Sequence, residues 1–287
     1  MPHNKRVLKI ALYRILGNDL PPRHKKGQTY DNLKFTLENE PVFTNCQKKW
    51  IINRIVDSFM EQKITKLLER HKQTYLRIPF EFKEYKTCSA RWADDYRVVR
   101  RLYSELDPIR YKKIIYVMNN NGARNIALKD GRRIADWILP FDGNCFFTEE
   151  GWKAVASKLA VQTREDKCFV VPMYRLTGNK QCFNFKPKGL TENEPQIIFG
   201  RDSKIHFDES LRYGAFPKVT MLQKLRFKSQ CTAYGFIITD PKYRCGYVLR
   251  LFSGVREGER GVYARIFLRE KAIDLILRKL DGSRYIQ

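Results

Sequence analysis

The chain has 287 residues of which 43% are hydrophobic, enough to bury a sizeable core, so global disorder is excluded. It carries 55 Lys and Arg against 31 Asp and Glu, a formal net charge of +24 whose positive field favours a phosphate-bearing or otherwise anionic partner. No apolar run approaches the roughly 20 residues of a membrane helix, and MPHNKRVLKIALYRIL has no long apolar stretch before a small-residue cleavage site, so the expected protein is neither secreted nor membrane-spanning.

The basic residues are spread along the chain without a long uninterrupted block, so a solvated basic surface accounts for the same count. Seven cysteines, an odd number with no C-x-x-C pair, resemble neither a disulfide framework nor a zinc site. The four histidines do not cluster. Reduced thiols in a cytoplasmic compartment fit this usage.

Taken in chain order, short β-rich runs alternate with helix-length amphipathic ones, the pattern of an α/β fold with a mostly parallel sheet flanked by helices. Strands are expected at 8–16, 75–80, 113–118, Trp137–Asp142, 168–174 and 196–199, with a further short one at 248–252. Helices are expected at 48–57, on Ile51, Ile52, Ile55 and Val56, and at 59–71, on Ile64, Leu67 and Leu68. Two more are expected at 151–161 and 265–280. Residues 176–195 hold Gly178, Pro187, Gly189 and Pro195 with little periodicity, which marks a long loop or flap. No Pro-, Gly- or Ser-rich linker and no fixed-period repeat divides the chain, so one domain over 1–287 is expected.

Residues 119–152, NNNGARNIALKDGRRIADWILPFDGNCFFTEEGW, read as the polar end of a strand, a helix opening at Gly122 and an apolar strand that stops at Asp142. Ligands of open α/β sheets bind beyond the carboxyl ends of strands, so Asn119, Asn120 and Asn121 are expected to share a crevice with Asp142 and Asn144. Thr148, followed by Glu149 and Glu150, reads as the cap of the next helix, which leaves Asp142 without a capping role.

This order of residues resembles the GT-A-fold glycosyltransferases of the nucleotide-diphospho-sugar transferase superfamily, in which a helix with an R-N-x-A signature precedes an apolar strand ending in an acidic D-x-D motif. The resemblance implies a Rossmann-related fold and a motif that holds a divalent cation, Mn or Mg, on the diphosphate of a nucleotide sugar, where it stabilises charge on the leaving group. It places Asp142 and Asn144 as metal ligands, and Asn121, Arg124, Asn125 and Asp142 against the nucleotide sugar. Asn144 stands where the family has a second carboxylate. The site therefore has one formal negative charge fewer, which weakens metal affinity and lets basic side chains such as Arg124 take part of the cation's place. The segments YRILGNDLPPRH, NGARNIAL and RLFSG also look like a group of glycosyltransferase-like proteins found in microbes, fungi and large algal viruses.

The same resemblance divides the chain into a nucleotide-binding half, about 1–145, and an acceptor-side half, about 146–287. The first strand of the family ends in a loop that touches base and ribose, which makes Arg14, Asn18 and Asp19 candidates; an ordinary surface turn before Pro21 and Pro22 is the structural alternative. Inverting members carry a general base just before a helix, and Asp208 and Glu209 match that order ahead of a helix expected at 215–225. The competing explanation is acids that start a helix. Arg250 and Arg256 are candidates for diphosphate or acceptor, and Trp92 and Trp152 for stacking platforms.

The expected function is transfer of a sugar from a nucleotide-diphosphate donor to a hydroxyl of a glycan acceptor on protein or lipid, with inversion; Asp142→Ala is expected to abolish it and leave the fold intact. The alternatives are a basic nucleic-acid-binding protein or nuclease, against which no helix-turn-helix, finger or RNP signature appears, and an inactive sugar-binding relative of the same fold.

Overall fold

A computed structural model describes residues 8–88, 107–162, 168–187, 192–214, 216–232, 235–254 and 262–282. Trp92 and Arg256 lie outside the described residues. Among the described residues eight strands form one sheet: β1 (Ile10–Leu16), β2 (Cys46–Asn53), β3 (Thr74–Ile78), β4 (Trp137–Asp142), β5 (Cys145–Phe146), β6 (Cys168–Arg175), β7 (Asn193–Gly200) and β10 (Val248–Arg250), in the order β3-β2-β1-β4-β7-β6-β10-β5. A separate hairpin joins β8 (Ser229–Thr232) to β9 (Gly235–Ile238). The expected α/β architecture, a mostly parallel central sheet with helices around it, is the one observed.

From β3 to β4 the sheet is parallel. β1 lies between β2 and β4, so the chain winds outward from β1 in one direction to β3 and then restarts on β1's other side. That reversal creates a crevice at the carboxyl ends of β1 and β4, where α/β sheets take their ligands. β7 runs antiparallel to β4, and the pairing is confined to Trp137↔Gly200 and Ile138↔Phe199. Two residues further on, Pro140 has no N–H to give to a ladder. Past Ile138 the ends of β4 and β7 are therefore not zipped together.

The helices are α1 (Gln28–Asn39), α2 (Ser58–Arg70), α3 (Phe82–Lys86), α4 (Pro108–Met118), α5 (Asn120–Ile134), α6 (Glu149–Ala160), α7 (Phe216–Lys224) and α8 (Val262–Gly282). Two expectations are corrected. The helix expected at 48–57 is the strand β2, in which Trp50, Ile51, Ile52 and Asn53 are all buried because β1 and β3 flank it and both faces are covered. Ile51, Ile52, Ile55 and Val56 satisfy helical spacing and a doubly buried strand equally well.

The strand expected at 113–118 is the end of α4. Asp107 caps it, its carboxylate accepting from the backbone N–H of Ile109 and Arg110 at 3.2 Å each, and Pro108 opens it. Tyr111, Ile114, Val117 and Met118 then share the buried face at helical intervals, and the last three lie in one core with Ala272, Ile273 and Leu277 of α8.

In the stretch expected as a flap, Asn179–Asn184 forms a 3-10 turn, Asn193 to Pro195 already belong to β7, and residues 188–191 lie outside the described residues. Thr148 caps α6 as expected, accepting from Gly151 N at 3.0 Å. Trp152 is not a stacking platform: it is 4% exposed and stacked on Phe43 within the core.

Candidate functional site

β4 is an interior strand, buried from Trp137 to Phe141, and it ends at Asp142, whose side chain is 28% exposed. The turn that follows needs Gly143, because a Cβ there would run into the carbonyl oxygen of Ile15 and lie 3.0 Å from Leu16 Cδ2. Asn144 ties the turn to the end of β10, its carbonyl accepting from Leu251 N at 2.9 Å.

Three side chains from three elements converge on the Asp142 carboxylate. Arg124 of α5 donates to Oδ1 at 2.8 Å, Lys218 of α7 donates to Oδ2 at 2.9 Å and Gln196 of β7 donates to Oδ2 at 3.1 Å. Burial alone would raise the pKa of this carboxyl, but Lys218, Arg124 and, more distantly, Arg250 outweigh it and hold the group well below the ordinary carboxylate range. Asp142 is an anion at any physiological pH.

A second acid shares the cluster. Glu194 lies two residues before Gln196 on β7, across an irregularity in the pairing with β6, and the charges of Lys218, Asp142, Arg124 and Arg250 act on it. Burial raises its pKa; Lys218, Arg124 and Arg250 pull it down and Asp142 pushes it up. Its carboxylate makes no hydrogen bond or ion pair among the described residues.

The positive potential extends beyond Asp142. Arg250, at the end of β10, acts on Asp142, on Glu194 and on His24 of the loop after β1. His24 is pushed down to about 3, first by burial and then by Arg23, Arg250, Arg175 and Arg269, so its imidazole is neutral in the folded protein. A basic tract thus runs from Arg124 and Lys218 past Arg250 to the arginines around His24.

Of the residues singled out in the sequence, Asn121, Arg124, Asp142 and Asp208 form one chain of contacts. Asn121 donates to the Asp208 carbonyl at 2.5 Å and accepts from Arg124 at 3.1 Å, and Arg124 holds Asp142. Asn125 pins the adjoining loop by donating to Phe207 O at 2.9 Å and to Glu209 Oε1 at 2.7 Å. The carboxylates of the two expected bases are already engaged: Asp208 accepts from Ser210 N and Oγ, and Glu209 accepts from Asn125. A cleft of about 510 Å³, lined in part by Arg54, Tyr111, Tyr116, Asn121, Ser210 and Tyr213, opens beside the first turn of α5.

The residues of the first loop are placed differently from expectation. Arg14 is 1% exposed, paired with Glu40 and donating through Nε to Cys145 O at 2.8 Å, so it braces β1 from within and does not face the crevice. Asn18 bridges β1 to the segment after β2 by donating to Arg54 O at 2.9 Å and accepting from Val56 N at 2.8 Å. Asp19 starts α1, accepting from Gly27 N at 2.6 Å and Thr29 N at 2.8 Å. Arg14 thus holds β1, and Asn18 and Asp19 hold the loop after it.

Lys218, Gln196, Glu194 and His24 were missed. Lys218 carried a signal: it precedes Met221 and Leu222 by three and four residues, which puts a lysine on the buried stripe of a helix. Gln196 and Glu194 carried another, two polar residues at strand spacing beside the apolar run Ile197 to Phe199.

The residues present were tested against the divalent cation that the family resemblance implies. Both oxygens of Asp142 are taken by Arg124, Lys218 and Gln196, and among the described residues no group of three or more His, Cys, Asp or Glu side chains is arranged to hold a metal. This donor set does not fit a divalent cation.

No family model matches the chain, and no curated protein matches its sequence. Among solved structures it is similar to the crystal structure of S. aureus TarS at 11% identity and a TM-score of 0.44, over 94% of this chain and 40% of that one. The chain thus spans about two fifths of the length of that protein, and a likeness at this level is no guide to chemistry. Among the described residues no helix is long and apolar enough to cross a membrane.

Proposed function

We propose that the protein transfers a sugar from a nucleotide-diphosphate donor to a hydroxyl of a glycan acceptor. The observation that carries this reading is the set of cations, Arg124, Lys218 and Arg250, gathered around the Asp142 carboxylate at the carboxyl end of an interior strand beside the sheet's reversal point. A diphosphate leaving group develops negative charge as the glycosidic bond breaks. Fixed cations in a half-buried crevice stabilise that charge without reorganising.

An acceptor hydroxyl is a poor nucleophile and needs a proton acceptor. Glu194 has the attributes of one: its pKa is raised by burial and no hydrogen bond restrains its carboxylate. Asp208 and Glu209 are the other candidates, at the cost of breaking the contacts they already make. Direct attack with the base on the acceptor side is an inverting displacement. An acceptor carried on protein or lipid, and a cytoplasmic setting, complete the reading.

The test is thermal denaturation with a panel of nucleoside diphosphates, followed by turnover of the corresponding nucleotide sugars. A matching ligand at a hundred times its Kd stabilises the fold by about 2.7 kcal/mol. A panel that leaves the melting temperature unmoved throughout, with no sugar released, removes this reading.

A further inference from the structure

A divalent cation is held by several oxygen ligands, and cations already seated on a carboxylate oppose it. Asp142 carries two such cations, Arg124 on one oxygen and Lys218, with Gln196, on the other. The position of Lys218 is costly on two counts. It is 6% exposed, and it lies in the first turn of α7, where the helix dipole disfavours a cation. An uncharged side chain at that place would carry neither cost, so what the lysine contributes is its ammonium on Asp142.

Arg250 supplies a second charge with no structural duty. It lies at the end of β10, where its backbone pairs with Cys145, three residues after Asp142; its charge acts on both Asp142 and Glu194, and its guanidinium makes no hydrogen bond or ion pair among the described residues. Arg124, by contrast, is fixed between Asn121 and Asp142. Three cations therefore face two acids, Asp142 and Glu194, and burial biases one of those acids towards its neutral form. The crevice carries surplus positive charge before any ligand enters it.

We propose that the crevice binds a diphosphate without a divalent cation, with Lys218 and Arg250 as its counter-charge and Asp142 serving to position the lysine. The nucleotide-sugar reading gives this diphosphate its biological identity, but the chemistry applies to any diphosphate, including inorganic pyrophosphate. Lys218 exchanges part of its contact with Asp142 for a phosphate oxygen, and Arg250 closes on the ligand from the β10 side.

Calorimetric titration of the full chain with inorganic pyrophosphate, once in EDTA and once in excess magnesium, tests the proposal. Binding is expected in EDTA and no tighter in magnesium. Arg250→Gln, which disturbs no internal partner, and Lys218→Met are each expected to weaken it about tenfold or more, the value of a charge-assisted hydrogen bond. Circular dichroism establishes that Lys218→Met is folded, and Arg250→Gln decides the matter where it is not. Binding that requires magnesium, undiminished affinity in Arg250→Gln, or no binding in either buffer overturns the proposal. Pyrophosphate binding in EDTA with no nucleotide-sugar turnover leaves it standing and defeats the sugar-transfer reading alone.

Discussion

The ammonium of Lys218 and the carboxylate of Asp142, 76 residues apart in the chain, meet at 2.9 Å, with the lysine side chain 8% exposed. Neither group can be removed alone at low cost, because each is the other's main compensation for leaving water. Arg124, 5% exposed, depends on the same carboxylate. The centre of the site is also a structural joint between β4, α5 and α7.

That dual role alters what the obvious mutation reports. The sequence suggests that Asp142→Ala removes activity and spares the fold, whereas the structure shows two buried cations left without their anion. The expected loss is about 3–5 kcal/mol of unfolding free energy. Adding Lys218→Met to Asp142→Ala should recover part of it, because an unpaired ammonium is worse than none. Urea unfolding of both single variants and the double variant measures the coupling. Equal midpoints for the parent and Asp142→Ala show that the pair has no structural weight.

Much of this was legible in the sequence, for identifiable reasons. Asp142 stood out because an apolar run ending in a carboxylate is a local pattern, and Arg124 because its helix resembles the R-N-x-A signature. β4 was placed to the residue because its first five positions are apolar and the sixth is the aspartate. β2 was not, because a strand covered on both faces loses the alternation that distinguishes it from a helix. Arg14, Asn18 and Asp19 stood out as polar residues near a strand end, but whether a polar side chain faces a ligand or a neighbouring loop is decided by partners far away in sequence, such as Glu40 and Cys145 for Arg14. Lys218 entered the site only through the packing of α7, whereas Arg250, a candidate from the sequence, is brought beside Asp142 by the pairing of β10 with β5.

Arg14 separates the two possibilities experimentally. Glu40, 1% exposed, accepts from Arg14, from Lys48 at 2.8 Å and from Phe147 N at 2.9 Å. Glu40→Ala therefore strands a buried guanidinium and should cost about 3–5 kcal/mol, with Glu40→Gln losing less. A conservative Arg14→Lys should lower stability while leaving pyrophosphate affinity unchanged in the folded fraction. A stable Arg14→Lys protein with weakened affinity would return Arg14 to the ligand.

Acid should weaken the fold earlier than carboxylate titration alone predicts. The folded pKa of His24, about 3, lies below the unfolded value of roughly 6.5, so on acidification the unfolded chain takes a proton that the folded one refuses. Stability contributed by the neutral imidazole is therefore present above pH ~6.5 and lost as pH falls towards 3, at no more than about 1.4 kcal/mol per pH unit. Asp142, whose folded pKa is depressed, adds its own loss below about pH 4. Urea midpoints between pH 7 and 5 should slope less in His24→Gln than in the parent. Identical slopes would mean that His24 takes up its proton in the folded state.

Two glycines near the site should respond unequally to the same added methyl. At Gly143 the new Cβ meets the Ile15 carbonyl and Leu16, backbone and core side chain of the neighbouring strand, neither of which can swing away. Gly143→Ala should cost about 1–3 kcal/mol and, by shifting Asp142 from its three donors, weaken pyrophosphate binding. At Gly122 the Cβ meets the Asn119 side chain, which can rotate if it gives up its 2.8 Å bond to Asn53. That loss of about 1 kcal/mol is offset by a comparable gain in helix propensity, so Gly122→Ala should be near neutral. Parallel urea unfolding and pyrophosphate titration of the two variants decide it, and a Gly143→Ala protein as stable and as well bound as the parent would show that the turn after β4 has room the geometry denies it.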